Sequence, residues 1–218
     1  MKSKIPLGSV ILTSALWLGM AVFPSGLAAQ GSVPGSSFVF PRFIFCNNVN
    51  SGIAIVNPNA WDAPVSLILT MADGSASTVA TINAPAHGQV AKAASELFGN
   101  VCADAWLEVT SSATGLIAYY QTFDTQLTYM DGADAALPSL DLFFPAIPRS
   151  AEGQAEIDFL NANPRPTAVD LNLWSLNGTL LGKARIQVPP FGVYWNVVDN
   201  VFPWGTDLSN ASHITATA

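Results

Sequence analysis

The sequence predicts an all-β protein made of two tandem antiparallel β-sandwich domains, the second of which lacks a terminal strand. Three observations support this prediction. Many short runs of residues alternate between apolar and polar, and turn signals separate them about every eight to twelve residues. Almost no stretch has the period of a long helix. The two halves of the chain also repeat one another at a constant offset.

The internal repeat is the strongest signal in the chain. Residues 53–74 read IAIVNPNAWDAPVSLILTMADG, and residues 157–178, 104 positions later, read IDFLNANPRPTAVDLNLWSLNG. The identical pairs in this register are Ile53 and Ile157, Asn57 and Asn161, Asn59 and Asn163, Val65 and Val169, Leu67 and Leu171, Leu69 and Leu173, and Gly74 and Gly178. The register holds over about sixty residues, which indicates two copies of one module. A chain of 218 residues has room for two domains of about 100 residues each.

The N-terminus has the features of a signal peptide over residues 1–29. Lys2 and Lys4 precede a short apolar run, and small residues then suit cleavage after Ala28 or Ala29. A membrane anchor is the alternative, but the apolar run is short for a span. We therefore expect a secreted, periplasmic or cell-surface protein with no membrane span after cleavage.

Composition and the repeat together divide the rest of the chain. Residues 30–37 are rich in Gly, Ser and Pro, which predicts a flexible arm. We assign residues 38–140 to the first sandwich and residues 141–218 to the second, shorter one.

We expect about seven strands in each domain. In residues 65–71 the side chains of Val65, Leu67 and Leu69 face one way. Residues 89–98 predict a strand that runs into a short helix, and residues 126–139 predict a loop. The predicted strands are residues 38–45, 52–56, 65–71, 77–82, 106–111 and 116–123 in the first copy, and 142–147, 157–160, 169–176, 180–188, 193–198 and 213–217 in the second.

The two copies differ at their C-terminal ends. With one insertion, residues 109–113 align with residues 214–218, and only the first copy continues into a further strand at 116–123. A sandwich without its last strand exposes an edge of unpaired backbone groups, so we expect this edge to be covered, either within the chain or by the addition of a strand. The candidate donor, from another molecule, is the end of the arm: Phe38, Val39 and Phe40.

Both cysteines, Cys46 and Cys102, lie in the first copy. The second copy has Ser150 at the first of these places and Thr206 and Asp207 near the second. Residues that are present together in one copy and absent together from the other are expected to act as a pair. In an exported protein such a pair favours a disulfide, and two unpaired buried thiols are the alternative.

Charge and motif content exclude several classes of function. The net charge is −7 and only 11% of the residues are charged, and the basic residues are scattered, so binding to nucleic acid through charge is not expected. The chain has two histidines and no nucleophile elbow, zinc-binding helix motif or phosphate-binding loop. We expect no catalytic residues, no metal site and no cofactor.

Two groups of acidic residues are weighed as sites. Glu152, Glu156 and Asp158 lie close in sequence, and a second group borders one loop: Asp124, Asp131, Asp134 and Asp141. Paired acids can cleave glycosidic bonds and oxygen-rich loops can bind Ca²⁺, but neither group has the spacing of a calcium loop. We expect solvated loop residues, and weak calcium binding at Asp131 and Asp134 is the less favoured alternative.

Aromatic residues at exposed positions are more suggestive. Trp174 is predicted to face outwards from its strand, and Trp61 lies in a polar loop. Exposed rings suit a sugar-stacking surface or a protein contact. For Trp174 itself, packing on the neighbouring domain is the favoured interpretation. The possible binding surface comprises Trp61, Trp174, Tyr119, Tyr120 and Tyr129.

The first copy also resembles a known repeat module. The motifs GIAIVNPN, LTMADG, PAHGQVA and SELF resemble an Ig-like β-sandwich module that occurs, often in tandem, in secreted bacterial proteins. The resemblance covers residues 40 to about 123 well. It covers the second copy loosely, because Ala162, Phe191 and residues 200–202 depart from the motifs. It implies an Ig-like fold and export, and it carries no catalytic residues.

The function expected from these features is non-enzymatic. The leading hypothesis is an extracellular structural, adhesive or self-assembling protein that acts by surface contact or strand addition. Its partner would be a protein, either a second copy in a homo-oligomer or a cell-surface partner. The alternative is a carbohydrate-binding module that uses the exposed Trp and Tyr residues, with a glycan as partner. An enzyme is a third, less favoured hypothesis.

Overall fold

The alternating patterns form strands, and the chain is all-β with two short helices in its described residues. The structure, a computed structural model, describes residues 35–46, 48–99, 102–128, 130–135, 139–147, 149–150 and 153–218. The predicted signal peptide and residues 30–34 of the predicted arm lie outside these residues.

The described elements fall into a first and a second half of the chain. The first half contains β1 (Ser36–Phe45), β2 (Val49–Asn57), β3 (Ala63–Met71), β4 (Ser77–Ala84), β5 (Gly88–Ala93), α1 (Ala94–Phe98), β6 (Ala103–Ser111), β7 (Ile117–Asp124) and β8 (Met130–Asp134). The second half contains β9 (Asp141–Phe144), β10 (Arg149–Ser150), β11 (Gly153–Gln154), β12 (Glu156–Leu160), β13 (Thr167–Ser175), β14 (Leu180–Val188), β15 (Val193–Val197), α2 (Val198–Val201) and β16 (Ala211–Thr217).

All strand pairings among these elements are antiparallel. The first half has two four-stranded sheets, β1-β6-β3-β4 and β5-β2-β7-β8. The second half has one four-stranded sheet, β14-β13-β16-β9, a two-stranded sheet, β12-β15, and the small hairpin β10-β11. Each half has its own hydrophobic core, and both halves belong to one compact unit.

Period-two burial builds the cores as predicted. Val65, Leu67 and Leu69 of β3 are buried, and so are the matching residues of β13. The predicted transition from a strand to a short helix at residues 89–98 is confirmed by β5 and α1.

The same buried asparagine organises the loop after β2 and the loop after β12. Asn57 Nδ2 donates to the carbonyl of Trp61 at 2.7 Å, and Asn161 Nδ2 donates to the carbonyl of Arg165 at 2.7 Å. In each loop the carboxamide oxygen accepts the backbone N–H two residues later, at 3.0 Å. Both side chains are buried. A buried polar group without a hydrogen-bond partner destabilises the fold, and these hydrogen bonds supply the partners. Equivalent sequence therefore gives equivalent local structure 104 positions apart.

The register of the large sheets corrects one sequence alignment. Phe40 of β1 lies opposite Leu107 of β6, and Phe144 of β9 lies opposite Ile214 of β16. Leu107 therefore corresponds to Ile214, an offset of 107, and the predicted alignment of residues 109–113 with 214–218 was wrong by two positions. A shift of two residues leaves the same side chains facing the core, so alternation in the sequence could not detect it.

The predicted loop at residues 126–139 was also wrong, because it contains β8. This strand pairs with β7, with Phe123 opposite Met130 and Tyr119 opposite Asp134. Its sequence, MDGAD, has no apolar alternation. Pairing with a neighbouring strand, and not its own pattern, makes it β.

The disulfide between Cys46 and Cys102 is present, and the sequence separation of the two cysteines is 56. The pairing deduced from their joint absence in the second half is thus confirmed. Among the described residues, no helix is long and apolar enough to cross a membrane.

Candidate interaction surfaces

The clearest candidate for an interaction surface is the edge of β12. In the first half β2 lies between β5 and β7, whereas the equivalent β12 pairs with β15 and with no other described strand. No described strand of the second half corresponds to β7.

Hydrogen-bond alternation shows which backbone groups this edge presents. The N–H of Asn161 donates to Gly192, and the N–H of Val198 donates to Ala155. Because bonding to a given neighbour alternates along an antiparallel strand, the odd-numbered residues of β12 bond to β15. The N–H and C=O groups of the even-numbered residues, Glu156, Asp158 and Leu160, therefore point away from β15.

The core beneath that edge is less well covered than in the first half. Phe40 is fully buried and its ring packs 5.3 Å from the ring of Tyr120 on β7. The equivalent Phe144 packs 5.5 Å from Phe159 but is only half-buried. The second half thus exposes part of a ring that β7 covers in the first half.

A charged cluster joins the two halves and centres on Arg42. The register of β1 shifts between Phe40 and Phe43, and such a bulge re-aims the extra residues. Both phenylalanines remain buried, and Arg42 reaches the second half. Its guanidinium lies 3.9 Å from the ring centre of Trp195, which gives a cation–π contact.

Three carboxylates surround that guanidinium. Arg42 Nη1 pairs with Glu156 and, at 3.3 Å, with Asp158, while Nε lies 3.5 Å from Asp104 of the first half. Burial raises the pKa of Asp158 to about 6, against the lowering effect of Arg42 and with a further rise from Glu156 and Asp104. Glu156 and Asp158 were expected to be solvated loop acids. The structure instead places both on β12, in ion pairs with a residue more than a hundred positions away.

Two hydrogen bonds to backbone carbonyls and one close backbone approach complete this junction. Trp106 Nε1 donates to the carbonyl of Phe191 at 2.7 Å, and the N–H of Val193 donates to the carbonyl of Ala72 at 2.7 Å. Gly192 lies so close to Ala72 that a Cβ on it would meet the Ala72 oxygen at 2.6 Å. We call the first-half side the docking face (Arg42, Ala72, Asp104 and Trp106) and the second-half side the receiving face (Glu156, Asp158, Phe191, Val193 and Trp195).

The predicted aromatic surface is dispersed over the molecule. Trp61 is exposed in the loop after β2, and Tyr119 is partly exposed on the outer side of β7. Tyr120 faces inwards against Phe40. Tyr129 lies outside the described residues. The described members of the set lie on separate elements, and Tyr120 belongs to the first core.

Trp174 does face outwards, as predicted, but its partners were missed. His213 stacks on it with ring centres 6.4 Å apart, and Phe143 lies 5.2 Å from His213. The Trp174 Nε1 donates to Thr215 Oγ1 at 3.0 Å. These rings come from β9, β13 and β16, so only strand pairing brings them together. Both of these contacts of Trp174 lie within its own half, whereas packing on the neighbouring domain was the favoured interpretation.

The predicted donor residues Phe38, Val39 and Phe40 are part of β1. They pair with β6, opposite Val109, Glu108 and Leu107 respectively. Phe40 is fully buried in the first core. Donation of these residues to another chain would require β1 to leave its own sheet.

Among the described residues, no group of three or more His, Cys, Asp or Glu side chains is placed to hold a metal ion. Asp131 and Asp134 are both exposed on β8.

Comparisons with known proteins identify no family. No family model matches the chain, and no curated protein matches it. A solved structure, the crystal structure of Thermotoga maritima 1070, is similar to 50% of this chain over 97% of its own length, with 12% identity and a TM-score of 0.41. Similarity at that level carries no argument about fold or function.

Proposed function

We propose that this chain is an exported, non-enzymatic protein of two tandem Ig-like sandwiches that acts in extracellular structure, adhesion or self-assembly. It does so by surface contact or by strand addition at β12. The matching strand orders and buried asparagines of the two halves support the tandem arrangement. The disulfide fits an oxidising compartment.

The observation that carries the proposal is the edge of β12 that faces away from β15, because no described strand pairs with it. Gly52, Ala54 and Val56 of β2 lie opposite Gln121, Tyr119 and Ile117 of β7. The equivalent residues of β12 present the same backbone groups and are paired with no described strand on that side. Exposed edges template the addition of another strand. A strand that enters with an aromatic side chain at the place of Tyr120 would also cover the exposed part of Phe144.

The test is the solution mass of residues 30–218 over a wide range of concentrations. We expect concentration-dependent association of the wild-type chain. Leu160→Pro removes an N–H that points to the free edge, and proline is tolerated on edge strands, so this variant is expected to lose association by strand addition. Leu160→Val is its matched control, because it keeps the N–H.

Each outcome of this test decides something. A wild-type chain that stays monomeric at every concentration contradicts self-assembly. Association that survives Leu160→Pro excludes strand addition and leaves surface contact.

A carbohydrate-binding module is the second candidate, and the ring cluster of Phe143, Trp174 and His213 favours it. Adjacent rings on one sheet face can stack on a sugar, and Thr215 supplies a hydroxyl beside them. We expect soluble glycans to change tryptophan fluorescence and Trp174→Ala to abolish the change, with Trp61→Ala as control. Unchanged fluorescence at millimolar glycan would contradict this candidate.

A further inference from the structure

The docking and receiving faces that join the two halves each have an equivalent in the other half. If the halves are tandem copies, as proposed above, the second half carries its own docking face and the first half its own receiving face. Residues of both equivalents are exposed to solvent. Their chemistry identifies what could cover them.

The equivalent receiving face has the same backbone geometry as the one in use. His87 and Phe191 occupy matching turns, with φ of 50° and 49°. The N–H of His87 donates to Asn59 at 2.9 Å, and that of Phe191 donates to Asn163 at 3.0 Å. The carbonyl of His87 therefore sits where the carbonyl of Phe191 accepts the Trp106 indole.

Side chains on this equivalent face are small. Gly52, Ala54 and Ala91 stand at the positions of Glu156, Asp158 and Trp195. They line a shallow groove with Tyr119 and Phe123 on the outer side of the β5-β2-β7-β8 sheet. The outward-facing residues of a sheet that is exposed to water are usually polar, whereas those of this sheet face are mostly apolar. We call it the second receiving face (Gly52, Ala54, His87, Gln89 and Ala91).

The equivalent docking face is apolar in the same way. Strand register places His213 where the first half has Trp106. Ala146 replaces Arg42, and Leu176, which is 90% exposed, replaces Ala72. Phe143, 61% exposed, lies beside His213. We call this surface the second docking face (Phe143, Ala146, Trp174, Leu176 and His213).

The residues that meet at the internal junction are replaced on both of the unused faces. Inside the chain a guanidinium meets two carboxylates and an indole. If the two unused faces met in the same way, the methyl group of Ala146 would take the place of the guanidinium. Its partners would be Gly52, Ala54 and Ala91. The two unused faces thus match one another chemically. They do not meet within one chain, whereas the docking face and the receiving face do.

We propose that a second copy of this chain covers each unused face, so that the second docking face of one molecule seats on the second receiving face of the next. The contact repeats between chains the junction that the two halves make within one chain. His213 then takes the place of Trp106 against the His87 carbonyl, and Leu176 takes that of Ala72 against the Gln89 N–H. Every chain carries one face of each kind, so the contact is heterologous and builds either closed rings or open-ended filaments.

The test introduces the charges that the internal junction carries. Ala146→Arg puts a guanidinium opposite the small groove, and Ala54→Asp puts a carboxylate opposite Ala146. Each change leaves an unpaired charge at the contact, so each variant alone is expected to associate at least about tenfold more weakly than wild type. In an equimolar mixture the new arginine meets the new aspartate, and association is expected to recover. Val79→Arg, on exposed β4, is the matched control and should associate like wild type.

Recovery on mixing separates this effect from misfolding, because a misfolded chain is not rescued by a second variant. If the wild type assembles and both single variants assemble equally well, the inference is overturned while self-assembly stands. The same holds if both single variants weaken assembly and the mixture stays weak. A monomeric wild type overturns the inference and self-assembly together.

Discussion

Replacing Asp158 with asparagine should remove a pH dependence of stability that this residue builds into the junction. Burial raises the pKa of Asp158 to about 6 from its ordinary value of 3.8. The folded protein therefore holds a proton at Asp158 that the unfolded chain has already lost. Stability from this group is fully present below about pH 4 and is lost as the pH rises through about 6.

The size of the effect follows from the shift in pKa. Two pKa units correspond to about 3 kcal/mol of unfolding free energy in total, of which about 2 kcal/mol falls between about pH 4.5 and pH 7.5. The side chain is 27% exposed, which makes these values upper bounds on the order of magnitude. Asparagine keeps an oxygen that Arg42 can bond and does not titrate.

The assay is urea unfolding of the wild type and of Asp158→Asn at about pH 4.5 and at about pH 7.5. The difference in unfolding free energy between the two proteins should shift by about 2 kcal/mol in favour of the variant as the pH rises. Asp134→Asn, on exposed β8, controls for the loss of one negative charge and should show no such shift. A constant difference between wild type and Asp158→Asn at the two pH values would refute the description of the Arg42 cluster as a buried junction.

Two further predictions concern the cores. Reduction of the disulfide, or replacement of Cys46 and Cys102 by alanine, should lower the unfolding free energy by up to about 4 kcal/mol, since the bond constrains a loop of 56 residues in the unfolded chain; equal urea midpoints with and without reductant would contradict this. Phe40→Ala should cost about 4 kcal/mol and Phe144→Ala about 2 kcal/mol, because Tyr120 covers the first ring only; equal losses in calorimetry would mean that the second core is as closed as the first.

Local patterns in the sequence predicted most of the strands. Alternation at Val65, Leu67 and Leu69 marks a core face whatever the neighbours are, and the paired absence of two cysteines from one copy was enough to predict their bond. These signals depend on residues close in sequence or on the comparison of the two halves.

The junction could not be predicted in this way. Arg42 and Asp158 are 116 residues apart, and nothing in either sequence context indicates the other. Trp106 donates its indole N–H to a carbonyl of the second half, and Tyr120 faces inwards because β7 joins β2 in one particular register. Pairing and packing between distant segments decide such positions.

Amide hydrogen exchange on dilute chain tests the central claim, the unpaired β12 edge, most directly. The N–H groups of Gly52, Ala54 and Val56 lie between β2 and β7 and should exchange slowly. Those of Glu156, Asp158 and Leu160 should exchange fast in dilute solution, and they should become protected at high concentration if a strand is added. Slow exchange of both sets in dilute solution would contradict the account, because the edge of β12 would then be covered within a single chain.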